Sequence, residues 1–155
     1  MENNNEIISD LKGLINTLND GKEGYESAAE ITDSPELKSL FAGFATQRET
    51  YANELTAHIA QHGGHSENES GGILGALHRT WIDIKQALSS KEDIAILSAI
   101  ETGEKAAIDK FDAALDDPNI HADHITLLQK QRTGIREALN EIETYRQRLE
   151  GLKNL

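Results

Sequence analysis

The chain has 155 residues, enough for one domain with a substantial hydrophobic core. Its 27 acidic residues outnumber the 15 Lys and Arg, and a formal charge of −12 repels phosphate, which argues against nucleic acid and anionic lipid as partners. The lack of cysteine excludes disulfides, thiol nucleophiles and thiolate metal sites.

The opening Met1-Glu2-Asn3-Asn4-Asn5-Glu6 has neither a basic n-region nor an apolar h-region. No apolar run approaches the ~18 residues of a membrane helix. A cytoplasmic location with no membrane contact is expected. From about Asn5 to Ile31, Ile7, Leu11, Leu14, Leu18, Tyr25 and Ala28 or Ala29 recur at spacings of three and four, the stripe of an amphipathic helix. Thr32-Asp33-Ser34-Pro35 ends it and starts a second, with Ser34 as N-cap and Pro35 in the first turn. That second helix carries Leu37, Phe41, Phe44, Tyr51, Leu55 and Ile59 and stops at Gly63-Gly64.

Residues 63–72 form a polar, glycine-rich linker. A shorter amphipathic helix is predicted from Ile73 to Leu88, with Leu74, Leu77, Trp81, Ile84 and Leu88 on one face. Ser90 and Asp93 have the spacing of a capping box for a third long helix, whose stripe is Ile94, Leu97, Ile108, Phe111 and Leu115. Asp117-Pro118 repeats the cap-then-proline device, and a fourth long helix follows through Ile125, Leu128, Ile135, Leu139 and Ile142 to about Leu149.

The two short loops make antiparallel hairpins. Residues 63–91, with a short helix ~24 Å long, are long enough to climb most of the bundle, so the second and third long helices should run parallel. The expectation is an all-α, ferritin-like four-helix bundle with a long crossover, forming one domain over residues 1–155. An internal echo agrees: Gln47-Arg48 recurs as Gln131-Arg132, 84 residues on, and the same offset carries Phe41 onto Ile125 and Phe44 onto Leu128.

Asp20-Gly21-x-x-Gly24-Tyr25 with Ala28-Ala29-Glu30, Gly75-Ala76-Leu77-His78-Arg79-x-Trp81-Ile82-Asp83, and Glu101-x-Gly103-Glu104 together resemble an uncharacterised bacterial family of ferritin-like four-helix-bundle proteins. The resemblance covers nearly the whole chain. It implies the fold and no activity, because a fold does not carry a reaction with it.

Di-metal carboxylate bundles take a Glu from each of two helices and Glu-x-x-His from each of the other two. Here Glu101 and Glu104 fall on core positions of the third long helix, and a buried carboxylate must be paired, protonated or metal-bound. With Glu23, Glu54 and His58 they are the candidate ligands for iron or manganese. Glu-x-x-His, however, occurs nowhere, and the centres of the second and fourth long helices carry Arg48 and Arg132 instead. An arginine aimed at the carboxylates competes with a metal for them. The expected core is therefore a buried ion-pair layer of Arg48 and Arg132 against Glu101 and Glu104, with Glu23 or Glu26 as further partners and no cofactor.

His58, His62 and His65 close the second helix, and His121 and His124 open the fourth, so five of the six histidines should gather at one end. Such a cluster suits Zn²⁺ or Cu²⁺, or a patch that charges below pH ~6.5, although exposed helix-end histidines are the commoner case. His78, beside Trp81, reads as a local hydrogen-bonding residue. No phosphate loop, dinucleotide fingerprint or nucleophile elbow is present in the sequence. Three functions remain: a non-enzymatic bundle contacting a protein partner or its own copies, with a stress-related role within that reading; a di-metal oxidoreductase or metal store; and a small-ligand bundle using the Arg/Glu core as polar handle.

Overall fold

In the computed structural model the described residues are 2–61, 86, 92–118 and 120–153, and they are almost entirely helical. Four long helices run over Glu2–Ile31 (α1), Pro35–Gln61 (α2), Asp93–Leu115 (α3) and Ala122–Lys153 (α4). The predicted linker over 63–72, the helix over 73–88, His62, His65, His78 and Trp81 lie outside the described residues, apart from Gln86.

Side-chain pairings fix the directions. Tyr25 meets Glu104 and Thr32 meets Asp93, so α1 and α3 are antiparallel. Glu36 meets Tyr145 and His58 meets His124, so α2 and α4 are antiparallel as well. The α1–α2 and α3–α4 hairpins are antiparallel by their short loops. It follows that α2 and α3 run parallel, and Gln61 and Glu92 stand at opposite ends of the bundle. Among the described residues, α1 packs beside α2 and α3, and α4 beside α3 and α2, whereas α2 and α3 face each other only across the diagonal.

The turn at Ser34 forms as the sequence predicts. The Leu37 N–H donates to Ser34 Oγ at 3.2 Å, a cap worth roughly 1 kcal/mol. The other two caps differ. Glu92, without a side-chain cap bond, sits at the N-cap of α3, and Asp93 accepts a 2.7 Å bond from the Thr32 hydroxyl; Ser90, the other half of the expected capping box, lies outside the described residues. Asp93 thereby ties α3 to the α1–α2 turn. Nor does Pro118 open α4. A turn closed by the Ile120 N–H on the Asp117 carbonyl comes first, because Ile120 packs down on the core, and His121 accepts from the His124 and Ile125 N–H groups at the true helix start.

The core falls into two clusters. One gathers Ile7, Leu11, Leu14, Leu18, Leu55, Ile59, Ile108, Phe111 and Leu128 toward the histidine end. The other holds Tyr25, Leu37, Phe41, Ile96, Leu97, Ile100 and Ile142 toward the Thr32 turn. On α3 the buried face is rotated slightly from the predicted stripe: Ile96 and Ile100 are buried and Ile94 only half-buried. Midway along α2 and α4, the phenol tip of Tyr51 comes up against Gly134, where a Cβ would stand 1.8 Å from the phenol oxygen. Glycine is what lets these two helices approach there.

Candidate functional site

Between the two apolar clusters lies a polar layer. Arg48, on α2, is 1 % exposed and Glu104, on α3, is fully buried. Since α2 and α3 are diagonal neighbours, only a side chain of arginine's length can cross the core between them, and the planar fork then meets both carboxylate oxygens. Arg48 Nη1 donates to Glu104 Oε1 and Nη2 to Oε2, each at 2.5 Å. Tyr25, on α1, donates its hydroxyl to the same Oε2 at 2.6 Å, and its ring lies 5.3 Å from the guanidinium carbon. Arg48 Nε reaches the side-chain oxygen of Gln47. Gly21, one turn before Tyr25, leaves room for the fork: a Cβ there would stand 3.2 Å from Arg48 Nη1.

Burial by itself would push the Arg48 guanidinium's pKa down, but the Glu104 charge and hydrogen bonds more than offset it and the net displacement is upward. Burial, then the Glu104 charge, carry the Tyr25 hydroxyl well above its ordinary 10.0. Below that ordinary value folded and unfolded chains both keep this proton, and the full stability is present. As pH rises past it, the unfolded tyrosine ionises while folded Tyr25 does not. Stability should then fall by about 1.4 kcal/mol per pH unit until the folded value is reached. Tyr25→Phe should cost about 1.5 kcal/mol at neutral pH through the lost bond to a charged acceptor. It should also flatten the alkaline decline by one proton, read from urea midpoints across the alkaline range. An unchanged slope would show that Tyr25 ionises inside the fold.

Glu101, also on α3 and 6 % exposed, has a different cation from the one expected. Arg146, on α4, binds it through Nε to Oε2 and through Nη2 to Oε1, the latter at 3.1 Å, and reaches Glu150 at 2.9 Å. Arg132 is not part of the buried layer. About a third exposed, it pairs with Asp112 across the α3–α4 surface at 2.5 Å. Gln131, one residue earlier and fully buried, takes the inward position and donates to the Tyr51 carbonyl. Adjacent residues are ~100° apart around a helix, so the echo between α2 and α4 placed the right stretch with the wrong residue inward. Arg146 carried a usable signal: it lies four residues after Ile142 and three before Leu149, within the stripe itself.

The candidate metal ligands do not come together. Glu23 is exposed on α1, and Glu26 lies beside Lys22 at 3.7 Å. Glu54 faces Lys130 at 3.0 Å, Glu101 is taken by Arg146, and Glu104 by Arg48 and Tyr25. Among the described residues, no three His, Asp or Glu side chains gather closely enough to hold an ion. At the far end, His58 and His124 do meet, with Nε2 of the first 2.6 Å from Nδ1 of the second. The His121 ring lies 5.7 Å from that of His124.

Fold and layer together define an all-helical four-helix bundle whose centre is closed by charged pairs spanning separate helices. The chain belongs to the family described as Domain of unknown function (DUF2383), which it matches over residues 6–117. The matched stretch runs through α1, α2 and α3 and takes in Gly21, Tyr25, Arg48, Glu101 and Glu104, while Arg146 lies beyond it. No curated protein matches the sequence. No described helix is long and apolar enough to cross a membrane.

Proposed function

We propose that this chain is a non-enzymatic four-helix bundle of ferritin-like layout, working in the cytoplasm by contact with a protein partner or with further copies of itself. Residues 63–91 serve as the crossover that joins its two hairpins. The observation that carries this reading is the fork of Arg48 on Glu104. In a di-metal bundle the carboxylates converge on cations at the centre; here a guanidinium occupies that place and supplies the positive charge. Each Glu104 oxygen already accepts from an arginine nitrogen, and one accepts from Tyr25 besides. A metal entering the layer would have to displace a buried cation and leave it unpaired, which costs several kcal/mol.

With its interior committed to cohesion, the surface remains as the working part. Its acidity favours partners that are neutral or basic and keeps phosphate-rich ones away. Untagged protein from cells supplied with iron and manganese should carry well under one equivalent of either metal. Close to two equivalents per chain, lost on Glu104→Ala, would overturn the proposal in favour of a di-metal oxidoreductase or store.

A further inference from the structure

We infer that the outer face of α4, from Glu141 to Leu152, is where a second copy of this chain docks, the two α4 helices lying antiparallel about a two-fold axis. Gly134, Ala138, Glu141, Tyr145, Arg148 and Leu152 recur at spacings of four and three, so they form one stripe along the helix. Its first half is closed: Gly134 meets Tyr51 of α2, and Ala138 is 1 % exposed. Its second half is open. Beyond Ala138 the two helices flank a groove of about 620 Å³, walled by Glu36 and Leu40 on α2 and by Thr144, Tyr145 and Arg148 on α4. α2 begins at Pro35, beside Tyr145 and Arg148, and α4 runs on past it to Lys153. On that overhang Leu152 is 60 % exposed, the one large apolar side chain so open to water among the described residues.

Charge selects the occupant. The whole chain carries −12, yet from Arg136 to Lys153 four Arg and Lys stand against four Glu. Two copies therefore meet by this face without the repulsion that their acidic surfaces impose elsewhere. The order of the charges matters as well. Within the open half Glu141 comes first and Arg148 two turns later, with Tyr145 between them. A two-fold axis beside Tyr145 reverses that order, so each Glu141 faces the Arg148 of the other copy. The same register carries Leu152 one turn beyond the other copy's Glu141, onto the seam where α2 and α4 close. Arg148 is held in place by stacking on the Tyr145 ring at 4.3 Å and by reaching Glu36 at 3.5 Å. Its guanidinium, 56 % exposed, is a fork of five donors and serves two carboxylates at once. A foreign partner would have to match this order with a sequence of its own; a second copy matches it by symmetry. The inference rests on the surface-contact reading of function and names the contact.

Sedimentation of the full, untagged chain at about 100 µM should give a mass near twice 17.1 kDa, falling to that of one chain on dilution. Glu141, Arg148 and Leu152 are all exposed, so substitutions there keep the helical circular dichroism. Leu152→Glu, Glu141→Arg and Arg148→Glu should each raise the dissociation constant at least about tenfold, because symmetry makes every change act twice. Glu141→Arg mixed with Arg148→Glu should restore association as a heterodimer, since each supplies the charge that the other lacks. A parent that stays a single chain at that concentration would leave the face to a foreign partner and overturn the assignment. So would a dimer indifferent to all three substitutions, or single variants that fail to pair when mixed. Iron or manganese in the core would sink the proposed function yet leave these masses unchanged, so the two failures are distinguishable.

Discussion

Replacing Glu104 by alanine should destabilise the fold by about 3–5 kcal/mol, a large part of a domain's total of roughly 5–15 kcal/mol. The loss does not measure what the ion pair adds over an apolar core. It reflects what is left behind: the Arg48 guanidinium, 1 % exposed on the far side of the diagonal, and the Tyr25 hydroxyl, both without their acceptor. The pair removed as a unit should behave quite differently. Arg48→Met with Glu104→Leu and Tyr25→Phe exchanges the whole layer for apolar side chains of similar volume, and such exchanges are close to neutral or stabilising by about 1–4 kcal/mol. Urea unfolding of the single and triple variants decides the matter. A single variant within about 0.5 kcal/mol of the parent would mean that water reaches Arg48, and the closed-core description would fail.

Phe111→Ala should cost a similar 3–5 kcal/mol, by another route. Phe111 is fully buried in the cluster toward the histidine end, and its removal opens a cavity that the surrounding Leu and Ile side chains fill only in part. It lies two turns beyond Glu104 on α3, about 10 Å along the axis, with the ion pair between the two clusters. At that separation the two losses should add to within about 0.5 kcal/mol. Their sum is of the order of the entire folding free energy, so Glu104→Ala/Phe111→Ala should be largely unfolded at 25 °C, as circular dichroism would show. A double variant no worse than either single one would mean that the clusters are one continuous core and that the layer does not divide it.

These losses bear on function through the same geometry. A core that unfolds when one carboxylate is lost is organised around that carboxylate's partners. A metal-loaded core would instead show a stability that depends on iron or manganese. Melting curves of the parent chain taken with and without chelator should superimpose.

Much of the architecture could be read from the chain. Apolar spacing located four long helices, and Ser34-Pro35 marked a turn that forms as expected. Glu101 and Glu104 stood out as carboxylates on core positions, and both are buried. His58 and His124, expected at the same end of the bundle because one closes the second helix and the other opens the fourth, do meet there. Each of these depends on periodicity within a helix or on a local cap, where the physics is complete in a few neighbouring residues.

Which cation meets which carboxylate could not be read the same way. Arg146 falls within the α4 stripe and reaches Glu101, while Arg132, beside it, turns to Asp112 and Gln131 takes the inward place. Asp93 was legible as a helix-start residue, but its bond to Thr32, sixty-one residues earlier in the chain, was not. In the first case the local pattern allowed two outcomes separated by a single residue's ~100° of rotation; in the second the partner is remote and no local pattern points to it. Those choices depend on the axial register and rotation of whole helices. Helix register and rotation are set by the summed packing of every buried side chain, so they come into being only when the four helices are together.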